Sequence, residues 1–160
     1  MQGCTPAIRN LALPAAQSNP WGIAVPKSAT RRQYPTAIRS VARARTNSLS
    51  FLKSCGIGRE TGFSIDLTLV VSELMTNAVT HGRVPGTSGR QIEMSTERAD
   101  SVYRIEVRDT QSDSMPVLGN PGDLDGEGRG LLLVDSLSDK WGVRPECVGK
   151  TVWAEKGFSE

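Results

Sequence analysis

The order of apolar and polar positions predicts two amphipathic helices, a strand pair, a glycine-rich gap, a short helix and a closing hairpin. Over residues 36–53, Ile38, Val41, Ala42, Leu49 and Leu52 recur near a helical period, and Gly56 and Gly58 stop the segment. Over 64–80, Leu67, Val70, Val71, Leu74, Met75 and Ala78 form a stripe at i, i+3, i+4 and i+7, with Ser64 or Asp66 as N-cap. Residues 91–96 alternate, and 101–108 alternate more clearly. There Tyr103, Ile105 and Val107 share one face, while Val102, Arg104, Glu106 and Arg108 share the other. Asp100 and Ser101 supply the turn of a hairpin. Residues 110–130 hold five glycines and two prolines and show no hydrophobic period. Gaps of that length in compact domains are usually lids or disorder. A short helix over 131–138 and a hairpin from 141–144 and 150–155 complete the chain. This order predicts an α/β sandwich, with helices on one face of a mixed, mostly antiparallel sheet.

The first 30 residues are rich in Pro, Ala, Ser and Asn without a period, which predicts a disordered tail. A short edge strand over 21–26 is a weak addition to it. Nineteen Lys and Arg against 17 Asp and Glu give a net charge of +2, which excludes blanket binding to nucleic acid. The charge is uneven, however: residues 31–60 carry seven bases and one acid. That basic stretch suits either a solvated helix face or a docking surface for an acidic partner. No apolar run approaches the ~20 residues needed to cross a bilayer. The start lacks a basic n-region and is interrupted by Pro6, Pro14 and Pro20, so no secretory signal is expected. Cys4, Cys55 and Cys147 are scattered and form no CxxC pair, which predicts reduced thiols in the cytoplasm.

Glu73 and Asn77 lie four apart at the edge of the second helix's apolar stripe, where they can line a cleft. The amide oxygen suits a hard cation such as Mg²⁺, and the carboxylate suits proton acceptance from a hydroxyl. On spacing alone the signal is weak, because Glu and Asn four apart on a helix are usually ordinary surface residues. Asp109 ends a strand and opens the glycine-rich gap, either as a turn former or as an acceptor for a ligand amine. The gap closes with Gly126-Glu-Gly-Arg-Gly130, directly before a helix start whose N–H groups attract phosphate. Two other phosphate-binding patterns fail. Gly149-Lys-Thr151 lacks the first glycine of a Walker A loop, since position 144 is Arg, and it leads into a strand. The glycines at 126–130 do not follow the spacing of a dinucleotide fold. His81, the sole histidine, has no second ligand or nucleophile beside it and reads as a local packing or helix-end residue.

Taken in order, Leu69-Val-Val-Ser-Glu-Leu-Met-Thr-Asn-Ala-Val-Thr-His-Gly82, Val107-Arg-Asp109, Gly128-Arg-Gly-Leu-Leu-Leu-Val134, Trp141-Gly-Val143 and Gly149-Lys-Thr-Val-Trp153 resemble one family. It is the stand-alone anti-sigma-factor serine kinases of bacteria, especially the short actinobacterial versions. These are a small branch of the ATPase superfamily shared by Hsp90, DNA gyrase B and histidine kinases. The likeness spans residues 31–156 and implies a Bergerat-type fold that binds ATP and Mg²⁺. It implies that Glu73 is the general base, Asn77 the Mg²⁺ ligand and Asp109 the carboxylate that reads the adenine amino group. Gly128 and Gly130 match the glycines ending the ATP lid, and Thr151 the strand threonine that helps hold adenine. The implied activity is that of a cytoplasmic serine/threonine kinase acting on an anti-anti-sigma protein, with a sigma factor as a further partner. A homodimer is expected from the sporulation relatives, with Leu49 and Leu52 available to face a partner. No direct contact with nucleic acid or membrane is expected. The alternative is a nucleotide-gated sigma-factor-binding protein without useful kinase activity. It is favoured by Asp109-Thr-Gln-Ser-Asp113, which lacks both glycines of the family's DxGxG.

Overall fold

A computed structural model describes residues 28–82, 91–111 and 129–158. In chain order the elements are β1 (Ser28–Pro35), α1 (Arg39–Ser54), α2 (Gly62–His81), β2 (Gln91–Ala99), β3 (Val102–Asp109), α3 (Arg129–Leu137), β4 (Lys140–Pro145) and β5 (Lys150–Gly157). The strands form one sheet in the order β1-β2-β3-β5-β4. The sheet expected to be mixed and mostly antiparallel is antiparallel at every described pairing. The helices cover one face of it, and α2 packs against both α1 and α3.

The strand β1 was not visible as a periodic pattern, because it lies at an edge and buries little. Of its eight residues only Tyr34 is buried, at 1% exposure, and Tyr34 accepts a hydrogen bond from Asn47 Nδ2 at 2.8 Å. The edge strand considered over 21–26 lies outside the described residues.

The buried side of α1 differs from the large-residue stripe that the sequence suggests. It is built from Ser40, Val41, Ala44, Ser48, Phe51 and Leu52, while Ile38 is 71% exposed. Small residues, Ala44 and Ser48, hold two of the buried positions, and a search for large apolar residues passes over them. Leu52 is fully buried in the core, so it is not available to face another subunit. The α2 stripe runs as expected through Leu67, Val70, Val71, Leu74, Met75 and Ala78. Its cap is Thr61 rather than Ser64 or Asp66. The Thr61 hydroxyl accepts the Ser64 N–H at 3.1 Å, and the Ser64 hydroxyl turns back to donate to Gly58 O at 2.6 Å. The core closes where Tyr103, Ile105 and Val107 of β3 and Val152 and Ala154 of β5 meet that stripe. Cys55 keeps a free thiol. Cys147 is disulfide-bonded, which corrects the expectation of reduced cysteines at that position.

The outer face of the sheet is polar and cross-linked by charge. Arg104 meets Glu106 at 2.7 Å and Glu155 at 2.6 Å, and Arg144 meets Glu106 at 3.2 Å and Glu146 at 3.0 Å. Burial alone would raise the Glu106 pKa, but hydrogen bonds from Arg144 and Arg104 outweigh it and hold the carboxyl below its ordinary value of 4.5. A group depressed in the folded state adds stability above its unfolded value, and that stability is lost as pH falls through the folded value. Stability should therefore drop as pH falls below 4.5, and Glu106→Gln should make the drop shallower. Urea unfolding at a series of acidic pH values checks this; parallel curves for the two proteins would remove Glu106 from the acid response.

Candidate functional site

The C-terminal half of α2 forms one wall of the candidate site. Glu73 and Asn77 share a flank of the helix, and both are half-buried. The start of α3 meets this flank at Gly130. A Cβ there would collide with Glu73 Oε2 and lie 3.7 Å from Asn77 Oδ1. Glycine thus lets the backbone of α3 close on the pair, and Glu73, Asn77 and Gly130 come together at one place. Gly128 lies outside the described residues.

A second group assembles where α2 ends. A Cβ on Gly82 would collide with the Ala78 carbonyl and lie 2.6 Å from Asp109 Cβ, so the end of the helix rests directly on Asp109. Asp109 itself is only 4% exposed. Its Oδ1 accepts the Gln111 N–H at 2.9 Å, and the Lys150 ammonium lies 3.1 Å from Oδ2 and 3.2 Å from Oδ1. The same ammonium donates to Gln111 O at 3.1 Å. An ion pair this buried holds only if hydrogen bonds offset its desolvation, and removing one partner of such a pair typically costs about 3–5 kcal/mol. From Glu73 to Gly82 the helix advances about 14 Å. The site therefore has two poles, one with a carboxylate, an amide and a glycine backbone, the other with a buried acceptor–donor pair.

Gly149 backs the second pole. Its φ of +83° is one that side-chain-bearing residues rarely adopt, and a Cβ would strike the Asp109 carbonyl oxygen. His81 is exposed in the last turn of α2, at the helix end where the sequence placed it.

Thr151 is not brought to Asp109. Strand side chains alternate, and Thr151 pairs in register with Arg108 and Arg144 on the outer face. Its hydroxyl donates to Glu146 Oε1 at 2.7 Å. Lys150, in register with Asp109, takes the inner position instead. Val152 and Ala154 are the core residues of β5 and position 150 shares their parity, whereas Trp153, also apolar, shares that of Thr151, so hydrophobicity alone did not separate the two faces. A shift of one residue exchanges the faces. The sequence reading also passed over the roles of Gly82 and Gly149, which only a nearby Asp109 makes apparent. A cavity of about 610 Å³ lies elsewhere, between the α1–α2 connection and the end of β5, with Arg98, Phe63 and Phe158 in its lining. It shares none of these site residues.

The five-stranded antiparallel sheet is covered by helices on one face, with Glu73, Asn77 and Gly130 together at one pole and the Asp109–Lys150 pair at the other. The family of histidine kinase-like ATPase domains matches residues 28–156, and the chain belongs to it. Its fold is similar to the crystal structure of the RsbU and RsbW domains of Rv1364c from Mycobacterium tuberculosis. The TM-score is 0.61 and the identity 20%, over 82% of this chain and 32% of that one. This chain thus spans about a third of the matched protein, and at that identity the likeness is one of fold. No match was found among curated proteins.

Proposed function

We propose that this protein binds ATP with Mg²⁺ and is a serine/threonine kinase of the anti-sigma-factor type that phosphorylates an anti-anti-sigma partner in the cytoplasm. The observation that carries the reading is the convergence of Glu73, Asn77 and Gly130 at a point about 7–14 Å along α2 from the buried Asp109. A nucleotide laid along the helix would set its base at Asp109 and its phosphates against the backbone at Gly130. The RsbW domain in the similar structure supports the anti-sigma assignment, as do the motifs from Leu69 to Trp153.

The donor set suits magnesium. Among the described residues no group of three or more His, Cys, Asp or Glu could cage a metal. A cation held by the Asn77 oxygen together with phosphate oxygens and water is the common arrangement for Mg²⁺. Bound there, it would supply charge neutralisation on the phosphates. Glu73, at the same pole, would take the proton of the acceptor hydroxyl, the other requirement of phosphoryl transfer besides positioning. Asp109 would fix the base, and the glycine backbone would admit the phosphates.

Asn77→Ala tests the metal assignment. The variant should lose the Mg²⁺-dependent part of its ATP affinity and keep the metal-free part, with the helix intact because Ala is the better helix former. Calorimetry in magnesium and in EDTA separates the two. Equal enhancement by magnesium in variant and wild type would take Asn77 out of the metal site. Transfer of labelled phosphate from ATP to candidate anti-anti-sigma proteins tests the activity itself.

A second reading is a nucleotide-gated protein that sequesters a sigma factor without useful turnover. It is favoured by Gln111, which stands where relatives carry glycine and which ties its N–H to Asp109 and its carbonyl to Lys150. Retained partner binding in Glu73→Ala, with no phosphoryl transfer by the wild type, would decide for it. Self-association to a homodimer belongs to either reading, and light scattering checks it.

A further inference from the structure

The proposed reaction gives no task to the buried ammonium of Lys150. We propose that Asp109 and Lys150 together read one edge of the nucleotide base, the carboxylate accepting from an exocyclic amine and the ammonium donating to the adjacent ring nitrogen, so that the site selects a 6-aminopurine. The inference rests on the nucleotide reading above and adds a second recognition residue to it.

The two side chains are each 5% exposed and sit side by side, with Nζ 3.1 and 3.2 Å from the carboxylate oxygens. An ionised carboxylate only accepts hydrogen bonds and offers about four lone-pair positions. Gln111 N–H and Lys150 leave room on Oδ2 for one more donor. An ammonium only donates and has three N–H groups. With one shared between the Asp109 oxygens and one on Gln111 O, the third is left for a ligand.

Neither group can exchange its role by rotating, as an amide or a hydroxyl would. The fixed pattern is therefore acceptor beside donor. Adenine presents its complement, an amino donor at C6 beside the N1 acceptor. Guanine presents the reverse, a carbonyl acceptor beside an N1–H donor, so both contacts would set like against like. A polar site of this kind rejects the mismatched ligand strongly, because its buried groups are then left unpaired. Threonine at 151 has no part in this, since its hydroxyl is engaged on the opposite face of the sheet.

The test compares ATP, GTP and 1-deaza-ATP, which keeps the amino group and carries C–H in place of N1. Equilibrium binding to the full chain should be weaker for 1-deaza-ATP than for ATP by at least about tenfold, the worth of one charge-assisted hydrogen bond. GTP should be weaker still. Lys150→Met should bind ATP and 1-deaza-ATP alike. A lysine that merely neutralises Asp109 would not distinguish the two ligands, so equal affinities in the wild type would overturn the proposal while leaving ATP binding intact. Retained discrimination in Lys150→Met would overturn it as well. If the variant does not fold, the wild-type comparison alone decides. A wild type that binds no ATP would overturn the nucleotide reading itself, and this proposal with it.

Discussion

In Glu73→Gln, phosphoryl transfer to a protein hydroxyl should fall by about 10²–10⁴, the usual worth of a positioned general base, while ATP binding persists. The amide matches the carboxylate in shape, so the contact with the Gly130 backbone survives and the wall of the site keeps its form. What disappears is the capacity to take a proton. Single-turnover transfer and equilibrium nucleotide binding, measured on the same preparation, separate the two consequences. Transfer at the wild-type rate would exclude Glu73 as the base. A parallel loss of transfer and binding would assign it a packing role against α3 instead.

The second large effect should come from Gly149→Ala, a change remote from any phosphate. The added methyl group meets two obstacles at once. The backbone at φ +83° is unfavourable for an L side chain, and the Cβ would be driven into the Asp109 carbonyl, with Thr110 Cα 2.7 Å away. The left-handed conformation costs roughly 1–2 kcal/mol, and overpacking a dense contact about 1–3 kcal/mol more. A loss of about 2–5 kcal/mol is therefore expected in urea unfolding, together with weakened nucleotide binding as β3 and the β4–β5 turn move apart. A change within about 0.5 kcal/mol, the usual range for an inconsequential surface substitution, would show that the turn relaxes freely.

Both sites of change were legible in the sequence to different degrees, for physical reasons. The α2 stripe was readable because large apolar side chains repeat at helical spacing, and that stripe placed Glu73 and Asn77 on a common flank. The β3 alternation was readable too, and it delivered Asp109 to the inner face. On α1, the stripe slipped because two of its buried positions, Ala44 and Ser48, are small and carry little hydrophobic signal. For β1, an edge strand with one buried side chain has no alternation to detect. At the start of β5, the motif pointed to Thr151, whereas the period of two assigns the inner position to Lys150. Motif matching tolerates a shift of one residue; a pleated strand does not. The close approaches of Gly82 and Gly130 were beyond reach, since each depends on a residue distant in sequence.

The strand order β1-β2-β3-β5-β4 has a consequence for how the molecule is made on the ribosome. Residues 150–157 are the last of the described strands to be synthesised, yet they occupy an interior place in the sheet, between β3 and β4. Until they emerge, β3 presents an open row of backbone donors and acceptors, the kind of edge that templates unwanted pairing. Ile105 and Val107 lack Ala154 and Val152, and Asp109 has no ammonium beside it. The nascent chain can gather its helices and first hairpin early, but the buried Asp109–Lys150 pair closes only with the arrival of β5. A chain arrested short of Lys150 is therefore a sticky fragment in which Asp109 lacks its buried partner.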